Sequence, residues 1–255
     1  MLDLVSFASR AALAAPPVRG VGIFLEHASR LFSGVDREVV TMFDGSRMSA
    51  NPSVVDGRRH LFTSRYHDRE ERAFIKGILR RGDYAVDVGA NVGLYTLLFA
   101  RLAGKGGSVT SIEAEPGNAS RLRRNIALNN YRNVTVVERG VSDKFETLKL
   151  HLSGTNLGMH SFIADEGRGD VEVQCAPLSS LVTKRARLMK IDVEGFEFRI
   201  LKQFFADDAP KPEYLMFENW KDFGDGDTFT LCEASGYKRL HRFGANEIMA
   251  ASTEI

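Results

Sequence analysis

The segment Val86-Asp87-Val88-Gly89-Ala90-Asn91-Val92-Gly93-Leu94-Tyr95-Thr96 constrains this chain more than any other. Its apolar run reads as a buried strand, its two glycines as a tight turn, and the residues after Gly93 as the start of a helix. Strand, glycine turn and helix in that order open nucleotide-binding α/β domains, where the turn lets the backbone come close to a ligand. Asp87 stands just before the turn, where it would repel a pyrophosphate.

From Tyr84 onward, strand-like and helical segments alternate. Strands are expected near 84–88, 108–114, 134–139, 187–193 and 213–218, and helices near 93–103, 117–130, 195–206 and 227–235. Such a rhythm specifies right-handed βαβ units and a mainly parallel sheet. The chain closes with strands at 237–243 and 246–251 around Gly244. One interval departs from the rhythm: 145–152 and 171–175 read as antiparallel additions flanking a long loop, Ser153 to Asp170, whose length suits a lid or binding loop. Upstream, Pro16-Pro17 divides residues 1–33 into two short helices, Asp44-Gly45 marks a hairpin, and 66–81 reads as a charged amphipathic helix. The expected organisation is an N-terminal helical and hairpin extension over 1–82 and a catalytic domain over 83–255.

The charge balance, 34 Lys and Arg against 33 Asp and Glu, provides no field to attract nucleic acid or an anionic membrane. Cys175 and Cys232 form no CxxC pair and have no histidine at metal-ligand spacing, so they read as core residues. Asp3 stands where a leader would be basic, Arg10 interrupts the apolar run, and no apolar stretch has membrane-spanning length. The expected location is cytoplasmic.

Spacing separates the nucleotides that fit such a turn. A dinucleotide fingerprint needs glycines at 91 and 94, where this chain has Asn91 and Leu94, and the Gly-Lys-Ser/Thr of a P-loop is absent. What remains is Asp-x-Gly-x-x-x-Gly, whose acid suits the ammonium and sulfonium of S-adenosylmethionine. The second strand ends in Glu113-Ala114-Glu115-Pro116. Either acid could accept two hydrogen bonds from ribose hydroxyls. Glu115 is preferred, because Pro116 begins the next helix and sets the preceding side chain at the strand's mouth.

The blocks VDVGANVGLYT, EAEPGNASRLRRNIALNN and LMKIDVEGFEFRIL, in this order, resemble the FkbM family of S-adenosylmethionine-dependent methyltransferases. The resemblance implies a class I methyltransferase fold: a Rossmann-like, seven-stranded sheet with its last strand antiparallel. It also implies O-methylation of a small-molecule or glycan acceptor. Its pattern assigns Asp87, Gly89, Ala90, Asn91 and Gly93 to the methionine half of the cofactor, Glu115 to the ribose and Asp143 to the adenine edge. A plain turn aspartate is an equal reading of Asp143.

Ligands of open α/β sheets bind beyond the carboxyl ends of the strands, which places Asp192 and Glu194 near the reactive end of the cofactor. A hydroxyl acceptor must lose a proton, so a carboxylate or histidine within hydrogen-bond reach is required. Asp192 is the first candidate, followed by Glu194 and by His160 of the long loop. Glu197 reads as a helix N-terminal charge. Trp220 and Phe223 could floor an acceptor pocket, although core packing explains them as well. Asp192, Glu218 and Asn219 together could hold a divalent metal such as magnesium. The rival readings are a non-catalytic S-adenosylmethionine-binding scaffold and a nucleic-acid methyltransferase. Against the latter, no Asn/Asp-Pro-Pro-aromatic motif follows the fourth strand. A homo-oligomer is compatible with the sequence, which specifies neither the acceptor nor the assembly.

Overall fold

The computed structural model describes residues 38–41, 45–50, 69–152, 162, 169–219 and 227–252. The expected helices at 1–33, most of the long loop with His160, and Trp220 with Phe223 lie outside them.

A hairpin comes first, β1 (Glu38–Thr41) paired antiparallel with β2 (Arg47–Ala50), followed by α1 (Arg69–Ile78). Then come β3 (Tyr84–Val88), α2 (Leu94–Ala103), β4 (Ser108–Glu113), α3 (Pro116–Leu128) and β5 (Val134–Glu138). The interruption consists of β6 (Gly140–Ser142), β7 (Glu146–His151), β8 (Asp170–Pro177) and the single turn α4 (Leu178–Leu181). The chain resumes with β9 (Leu188–Ile191), α5 (Glu197–Ala206), β10 (Tyr214–Glu218) and α6 (Thr228–Ala234). It ends in β11 (Tyr237–Phe243) and β12 (Asn246–Ala251).

Seven strands form the central sheet in the order β11-β12-β10-β9-β3-β4-β5. Neighbours from β10 to β5 pair in parallel, whereas β12 runs antiparallel to both β10 and β11. This is the class I methyltransferase architecture, with the last strand of the chain reversed. The order doubles back at β3, whose neighbours β4 and β9 lead away in opposite directions, and such a switch point leaves a crevice at the strands' carboxyl ends.

Burial on both faces explains why the central strands read as continuous apolar runs. On one face Val86, Val88, Met189, Ile191, Leu215 and Phe217 pack with Ile200, Leu201 and Phe204 of α5. On the other, Ala85, Leu188, Met216 and Ile248 pack with Ile75 of α1 and Leu98 and Phe99 of α2. Both cysteines are free and buried, as expected.

The interruption forms its own three-stranded sheet, β6-β8-β7. The β7–β8 pairing is antiparallel as the sequence indicates, but β6 adds to β8 in parallel. Three residues are too few for a readable alternation, and Gly140 owes its place to packing: a Cβ there would lie 2.5 Å from the Cys175 sulfur.

Candidate functional site

A cavity opens at the switch point, lined by the β3 turn (Val88, Gly89, Asn91), the end of β4 with the start of α3 (Ile112, Glu113, Ala114, Asn118) and the end of β9 (Asp192, Val193, Glu194). Arg139, Val141, Leu150 and Phe162 complete its far wall from the interrupting sheet and its loop.

The turn is held by the sheet. The Gly89 and Ala90 amides both donate to the carbonyl of Ile112, each at 3.0 Å, which uses up the Ala90 amide. Gly89 has φ +74°, and a Cβ on it would come 1.8 Å from the Asp192 carbonyl oxygen, so only glycine fits between β3 and β9. Asn91 adopts left-handed φ 50°, and Gly93, at φ 100°, caps α2 against Leu122. The buried side-chain oxygens Asp87 Oδ1 and Asn91 Oδ1 have no hydrogen-bond partner. Two such acceptors beside a glycine cradle suit a cationic amine.

Asp87 lies beneath the turn, fully buried. Thr96 Oγ1 donates to its Oδ2 at 2.6 Å. Burial raises its pKa, while Lys190 and Thr96 pull it back. Lys190 is itself buried on β9 and donates from Nζ to Asp192 Oδ2 at 2.8 Å. Burial opposes the Lys190 charge, yet Asp192, Asp87 and Glu71 together outweigh it and raise the ammonium's pKa.

The two acids at the end of β4 point in different directions. Glu115 turns both oxygens onto the N-terminus of α3, accepting from the Gly117 amide at 2.7 Å and the Asn118 amide at 2.6 Å. Glu113 lines the cavity and accepts from the Asn91 amide at 2.7 Å and the Glu115 amide at 2.9 Å. Burial pushes its carboxyl up to about 7, partly offset by those amides. Asp143 sits in the turn after β6. It faces Arg199 of α5, whose Nε donates to Oδ1 at 2.8 Å, and that bond holds the carboxyl below its usual range. The residues of this turn that reach the cavity are Arg139 and Val141.

Asp192 and Glu194 line the cavity, and Glu218 joins them, the three bringing carboxylate oxygens within 4.8 Å of one another. Asp192 is anchored by Lys190. Glu194 occupies the left-handed region at φ 52°, and burial, reinforced by Asp192, Glu218 and Glu197, pushes its carboxyl up to about 8. Glu197, the first residue of α5, points back into the preceding turn, accepting from the Val193 amide at 2.9 Å and the Gly195 amide at 3.0 Å. Three such acids can take a proton or share a divalent cation. Asn219, just after β10, is buried; its backbone amide donates to the Ala245 carbonyl at 2.9 Å, and its side-chain Nδ2 has no hydrogen-bond partner.

Three contributors were missed from sequence. Lys190 carried the clearest signal, a lone cation in an apolar strand two residues from Asp192 and thus on the same face. Glu71, which accepts from the Tyr95 hydroxyl at 2.6 Å, and Asn125, whose side-chain amide donates to the Val92 carbonyl at 2.7 Å, carried none, since both look like ordinary polar positions on helices.

A family model described as the methyltransferase FkbM domain matches residues 87–237, more than half of the 255 residues. No curated protein matches the chain. Among solved structures, the chain is similar to a putative rRNA-methylase from Clostridium thermocellum, at 11% identity over 71% of this chain and 93% of that one, with TM-score 0.46. It is similar to Trm5b from Pyrococcus abyssi, at 14% identity over 85% and 55% of the two chains and TM-score 0.47. It is also similar to a methyltransferase FkbM from Methylobacillus flagellatus KT, at 15% identity over 76% and 54%, with TM-score 0.43.

Proposed function

The chain belongs to the methyltransferase FkbM family, and from that premise we propose that it moves a methyl group from S-adenosylmethionine to a hydroxyl oxygen of a small-molecule or glycan acceptor. The observation that carries this reading is the convergence of Glu218 with Asp192 and Glu194, two acids that line a cavity together with the glycine turn and Glu113.

S-adenosylmethionine supplies an activated methyl on a sulfonium. Asp87 Oδ1, Asn91 Oδ1 and the Gly89 cradle fit its amino-acid end, and Glu113, rather than the helix-capping Glu115, fits the ribose hydroxyls. The apolar wall of Val141, Leu150 and Phe162 suits a flat base. Transfer then depends on holding the acceptor oxygen in line and removing its proton. Glu194 takes the role of proton acceptor here in preference to Asp192, because Asp192 is occupied by the Lys190 ammonium while burial makes Glu194 basic near neutral pH. His160 lies outside the described residues and carries no role in this reading.

A labelled methyl donor offered with a panel of hydroxylated acceptors tests the activity. Glu194→Gln should then lower kcat by roughly 10²- to 10⁴-fold, and wild-type kcat should rise with pH through about 8. Wild-type turnover in Glu194→Gln would remove it as the base. The same three acids support a second reading, a divalent cation that orients the acceptor. Loss of turnover on chelation, restored by magnesium, would favour it.

A further inference from the structure

A second concavity, of about 1000 Å³, lies at the amino-terminal ends of β4 and β5, the opposite edge of the sheet from the switch point. Its walls are the end of α2 with the turn after it, the segment 129–133 that leads from α3 into β5, and Ser108 and Thr135 of the two strands. Ser108 and Glu113 are the two ends of β4, so this region lies roughly 17 Å from the acid in the first cavity.

The charge of this concavity is one-sided. Arg101, Lys105 and Arg132 line it, and none of the described residues lining it is acidic. These three make no ion pair among the described residues. Lys184 adds a fourth cation at the rim, where its Nζ donates to Ser108 Oγ at 3.1 Å. Asp83, whose carbonyl accepts from the Ser108 amide, is the neighbouring acid, and its carboxylate is taken by the Arg80 amide at 2.7 Å.

Basic residues at helix ends commonly offset the helix dipole. Here side-chain amides already cover those ends: Asn133 Nδ2 donates to the Ala100 and Gly104 carbonyls at 2.9 and 3.0 Å, and Asn129 Nδ2 to the Asn125 carbonyl at 2.7 Å. The cations are left to face the concavity. Two of its side chains are also braced from outside by the β1–β2 hairpin. A Cβ on Gly45 would come 2.7 Å from Arg101 Nη1, and the Tyr131 hydroxyl lies 3.4 Å from Ser46 Oγ.

We propose that this concavity is a second ligand site, separate from the methyl-transfer cavity, for a small molecule that carries a chain of two or more phosphates. Cations contributed by both the end of α2 and the segment after α3 suit several linked anionic groups better than one. The volume admits a nucleotide-sized molecule, and the half-buried Tyr131 ring offers a surface for a flat base. A polynucleotide fits less well, because it needs an extended basic track and the chain's charge is nearly balanced.

Calorimetric titration of the full chain with inorganic pyrophosphate, at low salt and without divalent metal, tests the site. Wild type should bind one equivalent saturably, and Arg101→Gln with Arg132→Gln should lower the affinity by about tenfold or more. Lys202→Gln with Lys211→Gln removes the same charge elsewhere and should leave the affinity unchanged. Absence of saturable binding in wild type, an unaltered affinity in the first pair, or equal losses in both pairs overturns the proposal. Should the first pair not fold, Arg132→Gln alone decides, since Arg132 is exposed, and a loss of about threefold or more is expected. Saturating S-adenosylmethionine should not change the pyrophosphate affinity; competition would put the phosphates in the first cavity and overturn the second site. ADP then distinguishes the sources. Tighter binding than pyrophosphate, with the gain lost in Tyr131→Leu, supports the site as one for nucleotides, and equal or weaker binding supports it as one for inorganic polyphosphate.

Discussion

Two glycines of similar backbone conformation make opposite demands on this molecule. Gly82 has φ +93° with nothing near a would-be Cβ, while Gly89 has φ +74° with the Asp192 carbonyl oxygen 1.8 Å from one. Gly82→Ala should cost only the left-handed penalty, roughly 1–2 kcal/mol. Gly89→Ala adds a backbone clash that must push β3 and β9 apart, for a total of at least about 2–4 kcal/mol. Urea denaturation of both variants checks the order, and equal losses would show that the β3–β9 gap is not fixed. Gly89 was legible because a turn between strand and helix demands such a residue. The choice between Glu113 and Glu115 was not, because either acid two residues apart can face the strand's mouth. The start of α3 turns Glu115 aside, its otherwise unsatisfied amides claiming the nearer carboxylate, and Glu113 is the one that lines the cavity. For Lys190 the alternation pattern was sufficient, but its partners Glu71 and Tyr95 are joined to it only by tertiary packing.

At the level of elements, α3 links the N-terminal hairpin to the cofactor turn. Asn125 is fully buried on this helix; its side-chain amide donates to the Val92 carbonyl at 2.7 Å, and its Oδ1 accepts from the Ser49 amide of β2 at 2.8 Å. One turn further, Asn129 accepts from the Arg47 amide and donates to the Arg47 carbonyl, both at 2.7 Å. The hairpin thus braces the far side of the turn that holds Asn91 and Gly93. Asn125→Ala leaves the buried Val92 carbonyl and the half-buried Ser49 amide without this partner, and should destabilise the fold by about 1–3 kcal/mol. It should also weaken S-adenosylmethionine binding, as calorimetry would show. Binding at wild-type affinity would mean that the turn keeps its shape without the brace. The long strands and helices were legible because burial writes a continuous apolar run or a one-sided stripe into them. The docking of the hairpin was not, since two asparagines on a helix resemble solvent-facing residues until their partners, more than seventy residues away in sequence, are in place.

Across the whole molecule, the sheet gathers acids at its carboxyl edge, and folding has to bear the cost. Glu194 rises to about 8, and Glu113 and Glu197 to about 7, against an ordinary value of 4.5, with burial the first cause in each. The folded state therefore binds more protons than the unfolded chain between about pH 4.5 and 8, and linkage makes these groups' contribution to stability fall as pH rises through that window. Glu194→Gln isolates one of the three, because the amide mimics the protonated acid and cannot ionise. Relative to wild type, the variant should gain stability steadily from pH 5 to about 8 and then level off. Thermal melts in chelator-containing buffer across that range would show the difference in Tm widening with pH. A constant difference would mean that Glu194 titrates as an ordinary surface acid, which would also remove the reason for preferring it to Asp192 as the proton acceptor. An acid that costs stability near neutral pH yet occupies a left-handed backbone position at a cavity's edge is better explained by chemistry than by folding.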